Sequence, residues 1–196
     1  MDAETLGIPA LDLAMQIESL TLPCVPYGSL GRGRPMAGTY HFYTADRRFT
    51  RLIARPDRIF VSGCVAAIEP NFSTGPDCPL ALVLWGVYQK RRIARFWQDS
   101  GLAVAVDLNV DRLDVALLGV PQGWQSYATR WHRKDTADVL ERTWALATCH
   151  ADPNPPRMIV FGGGPKVRTI CETHGWTYVP ENCRMVRGLE PANGRA

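Results

Sequence analysis

The chain has no apolar run of the roughly 18 residues that a membrane-spanning helix needs, so nothing in it asks for a bilayer. Its opening stretch, MDAETLGIPALDLAM, is acidic and lacks the basic start of a secretion signal, and a cytoplasmic protein is expected. The six cysteines (Cys24, Cys64, Cys78, Cys149, Cys171, Cys183) include no Cys-x-x-Cys pair, which points to reduced core residues rather than disulfides. Cys149 with His150, Cys171 with His174, and Cys183 match the spacing of no compact zinc knuckle, so no metal site is expected there. The four histidines, at 41, 132, 150 and 174, form no His-x-His pair, which argues against the usual rolling-circle nicking chemistry. Gly-x-Ser-x-Gly is absent too, as are helix-turn-helix and aromatic RNA-binding signatures. Charge of one sign is also scarce. A net charge of +3 and a pI near 8.6 permit a polyanionic partner without demanding one.

What is present is a length and an apolar content suited to one domain with a full core: 196 residues, 46% of them hydrophobic. We expect an irregular N-terminal segment over 1–37, an α/β domain over 38–180 and a loose tail over 181–196. The organising stretch is Arg58 to Val110. It reads as apolar strand, polar loop, long amphipathic helix and second apolar strand, a βαβ unit. The predicted fold is therefore α/β, a mainly parallel sheet built from such units and arranged as a doubly wound sheet or a partial barrel. Each apolar run (Val65 to Ile68, Leu102 to Val106) is followed by an acid, Glu69 and Asp107. Ligands collect at the carboxyl ends of parallel strands, so both acids are expected to face one site. The helix carries Arg91 inside its apolar stripe of Leu84, Val87, Tyr88, Ala94 and Trp97, where a guanidinium needs a partner. Lys90, Arg92 and Arg95 lie elsewhere on the same helix and complete a basic cluster.

Along the rest of the chain, Gly28 to Pro35 is a glycine/arginine loop bearing Arg32 and Arg34, and residues 39 to 45 have strand density. Asp46 suits the N-cap of a short helix from Arg47 to Ala54. The loop from 69 to 79 offers Asn71 and Ser73 as binding groups, and Asp77 or Ser73 as a cap for the long helix. Further strands are expected at Val115 to Val120 and Ser126 to Thr129 around a turn at 121 to 124, with Arg130 at a strand end. A helix over 136–149 follows. Residues 157 to 180 then read as strand, glycine turn, helix and strand. Gly162, Gly163 and Gly164 allow a ligand to approach the backbone, and Lys166 sits in the next turn; this is neither a P-loop nor a dinucleotide fingerprint.

The segments IEPNFS, VYQKRRIARFWQ, GLAVAVDLNV, GVPQGW, YATR and VFGGG together resemble the family called domain of unknown function 4417, over roughly residues 38 to 180. Its members are similar at a "PDFS" loop followed by a Tyr-Arg-x-Arg helix, where this chain has Glu69-Pro70-Asn71 in place of Pro-Asp. The resemblance implies a phage, plasmid or integrated mobile-element setting and no particular reaction.

Three functions are compatible with these features. The first is a nucleic-acid-binding protein, DNA favoured, in replication, maintenance or host takeover of a mobile element. Lys90, Arg92, Arg95, Arg32, Arg34, Arg133 and Lys134 would contact phosphates there. The second is a small enzyme acting on a nucleotide or other phosphorylated ligand. In it Glu69 or Asp107 serves as general base or Mg2+ ligand, Asn71, Ser73 and Asn109 orient, and Arg91, Arg130, Lys166 and the 162–164 turn hold the anion. The third is an inhibitor or structural factor that binds a protein partner or a second copy.

Overall fold

The computed structural model describes residues 2–29, 35–75, 77–132 and 137–181. Seven short strands form one sheet: β1 (Cys24–Pro26), β2 (Thr39–His41), β3 (Ala66–Ile68), β4 (Ala103–Asp107), β5 (Ser126–Arg130), β6 (Arg157–Phe161) and β7 (Thr177–Val179). Every neighbouring pair is parallel, and the order in space is the order in sequence. A parallel sheet that never reverses its winding receives all its right-handed crossovers on one face. The three helices, α1 (Leu80–Asp99), α2 (Ala137–Ala151) and α3 (Gly164–His174), accordingly share one core with the outward strand residues Tyr40, Ala67, Val104, Val106, Tyr127 and Val160.

The alternate residues face the other way. Ala66, Ile68, Ala105, Ala128, Ile159, Phe161 and Val179 form a second cluster that contains no helix residue. Here the sheet curls on itself: the Phe161 ring of β6 lies 4.7 Å from His41 of β2 and 4.7 Å from Tyr43 just beyond it. The result is a half-barrel in a single α/β domain, the partial-barrel form of the expected fold. Alanines at three concave positions on β3, β4 and β5 permit the tight curl, because bulkier side chains would collide across it.

The segment before residue 37 is less irregular than expected. Its prolines punctuate apolar pieces that are nonetheless buried (Ile8, Leu11, Ile17, Cys24, Val25), and one of them is β1. Residues 12–17 close the amino end of the half-barrel. The Ile17 N–H donates to the Val104 carbonyl at 3.0 Å, the Gln16 Oε1 accepts from Gln125 N–H at 2.8 Å, and Gln98 clamps Asp12 and Met15. The Gly28 to Pro35 loop with Arg32 and Arg34, together with Arg133, Lys134 and Cys183, falls largely outside the described residues.

Four further expectations fail. Residues 46–53 form two 3-10 turns meeting at buried Phe49 rather than one helix. Asp46 does not cap them, because its carboxylate receives the Ser73 N–H at 3.0 Å and hydroxyl at 2.9 Å. Helix α1 likewise begins after Pro79 without a side-chain cap, so neither Ser73 nor Asp77 serves there. Val115 to Val120 is no strand. Leu113–Val115 is a 3-10 turn, and the carbonyls of Ala116 and Leu118, which a ladder would need, accept hydrogen bonds from Arg91.

That arginine is fully buried on α1. Its third partner is Glu69, itself fully buried, so one guanidinium ties α1, the end of β3 and the 113–119 connection. Gly119 completes the joint. It holds φ at +77°, and a Cβ there would stand 2.5 Å from the Pro9 carbonyl and 3.4 Å from Arg91 Cγ. Removing one partner of a buried pair leaves the other charge uncompensated. Arg91→Leu is therefore expected to cost about 3–5 kcal/mol in urea unfolding, and Arg91→Lys to recover little of it, because an ammonium cannot reach three separated acceptors.

Candidate functional site

In a parallel sheet the carboxyl ends of the strands offer ligand sites, and here the polar residues converge on that edge. Asp107, the last residue of β4, is fully buried on the concave side. Its Oδ1 accepts from the Tyr43 hydroxyl at 2.8 Å and the Asn109 N–H at 3.1 Å. Its Oδ2 accepts from Asn71 Nδ2 at 3.1 Å and Lys90 Nζ at 3.3 Å, while Lys90 also donates to the Asp107 carbonyl at 2.6 Å. Asn71 reaches on to the Asn109 carbonyl at 2.9 Å, and Asn109 Oδ1 lies 3.1 Å from His132 Nε2. Loops following β2, β3 and β4 are thus laced together through one carboxylate, and the loop after β5 joins them through Asn109.

Beside this network opens a cleft of about 350 Å3, within the size range of small-molecule sites. Its polar lining includes Asn71, Ser73, Thr74, Asn109, Asp111, Arg130, His132 and Arg142. Thr74 donates to Asp111 at 2.6 Å, which pins the loop after β3 to the loop after β4. The wall bears two guanidinium groups, Arg142 and an Arg130 that is paired with exposed Glu181, and one carboxylate engaged by a hydroxyl, so an anionic ligand is suited to it where it can exchange with Glu181.

Burial sets the protonation of the two ring groups on the concave side. The Tyr43 phenol is pushed well above its ordinary range by burial and by the adjacent Asp107 carboxylate, and it stays a hydrogen-bond donor. His41 is lowered to about 4, first by burial and then by the charge of Arg130. Its Nδ1 has no hydrogen-bond partner among the described residues.

The expected residues divide as follows. Asp107, Asn71, Ser73, Asn109 and Arg130 come together at the strand ends. Glu69 and Arg91 do not join them: with Ile68 on the concave side, the next residue points outward to α1. The two acids touch only through the backbone, where Asp107 N–H donates to Glu69 Oε2 at 3.1 Å. The glycine turn does not line the cleft either. All three glycines take positive φ, and a Cβ on Gly163 would lie 2.8 Å from the Trp131 ring, so packing accounts for that residue. Lys166 is exposed on α3, away from the cleft lining.

The basic cluster is dismantled by folding. Lys90 is 2% exposed and bound to Asp107, Arg92 donates to the Ile53 carbonyl, and Arg95 pairs with Asp99 at 2.8 Å. Of the metal-ligating types considered, Cys171 is buried on α3, while His174 stacks on Trp176 and pairs with Glu141. Sequence reasoning passed over Tyr43, His41, Arg142 and Glu181. Alternation along residues 39 to 45 placed His41 and Tyr43 on one face, which was the available signal; nothing local marked Arg142 or Glu181.

The molecule is thus a single-domain parallel half-barrel with a polar site at its carboxyl mouth. The chain belongs to the family described as domain of unknown function (DUF4417), which matches residues 2–131. That match begins well before residue 38, taking in the segment that supplies β1, and it ends before β6. The chain is also similar to the Gene 1 proteins of Mycobacterium phage D29 and Mycobacterium phage L5, each 34% identical over 91 residues. The aligned stretch covers 44% of this chain and 34% and 40% of those two proteins. No solved structure matches the chain. Among the described residues no helix is long and apolar enough to cross a membrane.

The buried histidine gives a pH test. A folded-state value held near 4, below the ordinary 6.5, contributes stability that is present above pH 6.5 and lost as pH falls toward 4. The contribution is on the order of 3 kcal/mol. Urea unfolding of the wild type should therefore lose stability across that window more steeply than His41→Asn does, and identical slopes would refute the assignment.

Proposed function

We propose that the protein is a small-ligand protein of a phage or mobile-element setting, binding and acting on a nucleotide or comparable phosphorylated molecule at the half-barrel mouth. The observation that carries this reading is the cleft itself: about 350 Å3, at the carboxyl ends of parallel strands, with Arg130 and Arg142 on its wall. In the proposed arrangement the two arginines take the phosphate groups. Asn71, Asn109 and Thr74 orient the rest of the ligand; Asp107 sets the positions of Asn71 and Asn109 from beneath through its four accepted hydrogen bonds, and Asp111 holds Thr74. Asp107 itself is fully buried, carries the Lys90 ammonium and lies outside the cleft lining, so its part is to hold the floor of the site rather than to act on the ligand or to bind Mg2+. The phage setting is supported by the Gene 1 relatives of D29 and L5.

A nucleic-acid-binding role draws less support, because the α1 cations that motivated it face inward or are paired within the chain. The competing roles separate in one series of measurements. Nucleoside mono-, di- and triphosphates, with and without Mg2+, should raise the melting temperature of the wild type. Arg130→Ala and Arg142→Ala should each weaken that binding by about tenfold or more, as expected for the loss of a charge-assisted hydrogen bond. No shift with any nucleotide, together with DNA or RNA binding that persists at physiological salt, would overturn the proposal in favour of the nucleic-acid role.

A further inference from the structure

One ion pair at the mouth does nothing evident for the fold. Glu181, just past the end of β7, places its Oε1 2.8 Å from Arg130 Nη2, with the carboxylate 63% exposed and the guanidinium 30% exposed. Arg130 is the last residue of β5, so the contact spans β6, which lies between the two strands. Glu181 packs over the Gly162 turn at ordinary van der Waals distance: a Cβ built there would stand 3.7 Å from Glu181 Cβ and 3.8 Å from its Cδ. Arg130 also lines the cleft, and its charge is felt by His41 across the concave side, where that ring's buried Nδ1 has no partner among the described residues. A carboxylate of the chain itself thus occupies the position that an incoming anion would take.

We propose that Arg130 is an oxyanion seat held closed by Glu181, and that the phosphate of a bound ligand displaces the Glu181 carboxylate from it. This rests on the function proposed above and adds which group of the ligand is recognised, where, and what it must exchange with. An exposed carboxylate–guanidinium pair is worth only about 0–1 kcal/mol, so an arriving dianion exchanges with it at little cost. Once the carboxylate swings out, the phosphate pairs with the Arg130 guanidinium, on a residue that also lines the cleft. The Tyr43 hydroxyl remains committed to Asp107 and does not compete.

The test is calorimetric titration of inorganic pyrophosphate into the wild type, Glu181→Gln, Arg130→Gln and, as a control of equal charge change far from the mouth, Glu172→Gln. Glu172 is exposed on α3, where it pairs with Arg168, and its loss leaves the mouth untouched. Glu181→Gln should tighten pyrophosphate binding by up to roughly fivefold, the equivalent of one surface pair. Arg130→Gln should abolish the binding, and Glu172→Gln should leave it unchanged. Equal affinity in the wild type and Glu181→Gln, or an equal gain in Glu172→Gln, would overturn the gate while leaving the ligand site intact. Nucleotide binding without any pyrophosphate binding in these variants would likewise remove the oxyanion seat alone. Only the failure of nucleotides and pyrophosphate together would remove both.

Discussion

The buried pairing of Arg91 with Glu69 is the constraint on which the mouth depends. A guanidinium in the apolar stripe of a helix is tolerable only when its donors are matched, and here they reach a carboxylate and two backbone carbonyls. The same Glu69 oxygen receives the Asp107 N–H, so the pair on the outer side fixes the backbone of the residue that organises the inner side. Two layers of charge are stacked in this way. Arg91 with Glu69 holds helix to sheet, and Lys90 with Asp107 carries that order to the strand ends.

The consequence is a rigid floor under a more adjustable rim. Asp107 accepts hydrogen bonds from loops that follow β2, β3 and β4, and Lys90 reaches it from α1. The outer contacts are of another kind. Ser73 to Asp46, Thr74 to Asp111 and Arg130 to Glu181 are solvent-exposed, and each is replaceable by water or by a ligand. Such a division, with buried groups setting positions and exposed ones exchanging, is what ligand recognition at a strand-end site requires.

Much of this was legible in the sequence. Continuous apolar runs around a long helix announced parallel strands, and the acids after them marked the carboxyl edge, because residue type alone separates a buried strand from the polar loop that leaves it. Arg91 drew notice for the same reason. What could not be read was orientation. Whether Glu69 or Asp107 points inward turns on one residue of register, and the β3 register puts Ile68 inside and Glu69 out. The run of cations from Lys90 to Arg95 looked like a surface patch, yet its members take three different directions around a helix and find partners up to 39 residues away in sequence. The strand expected at Val115 to Val120 failed for a similar reason, since its carbonyls are taken by a side chain from α1. Glu181 and Arg142 join the mouth only through the winding of the half-barrel, which no local pattern encodes.

The most direct measurement is an NMR titration of the isotopically labelled protein with a nucleoside triphosphate and Mg2+, following backbone amides. Shifts should concentrate in residues 71–74, 108–111, 129–132 and 139–143, around the mouth. Shifts gathered instead on the outer face of α1, at exposed Leu82, Trp85 and Phe96, would contradict it, as would a spectrum that does not change at all.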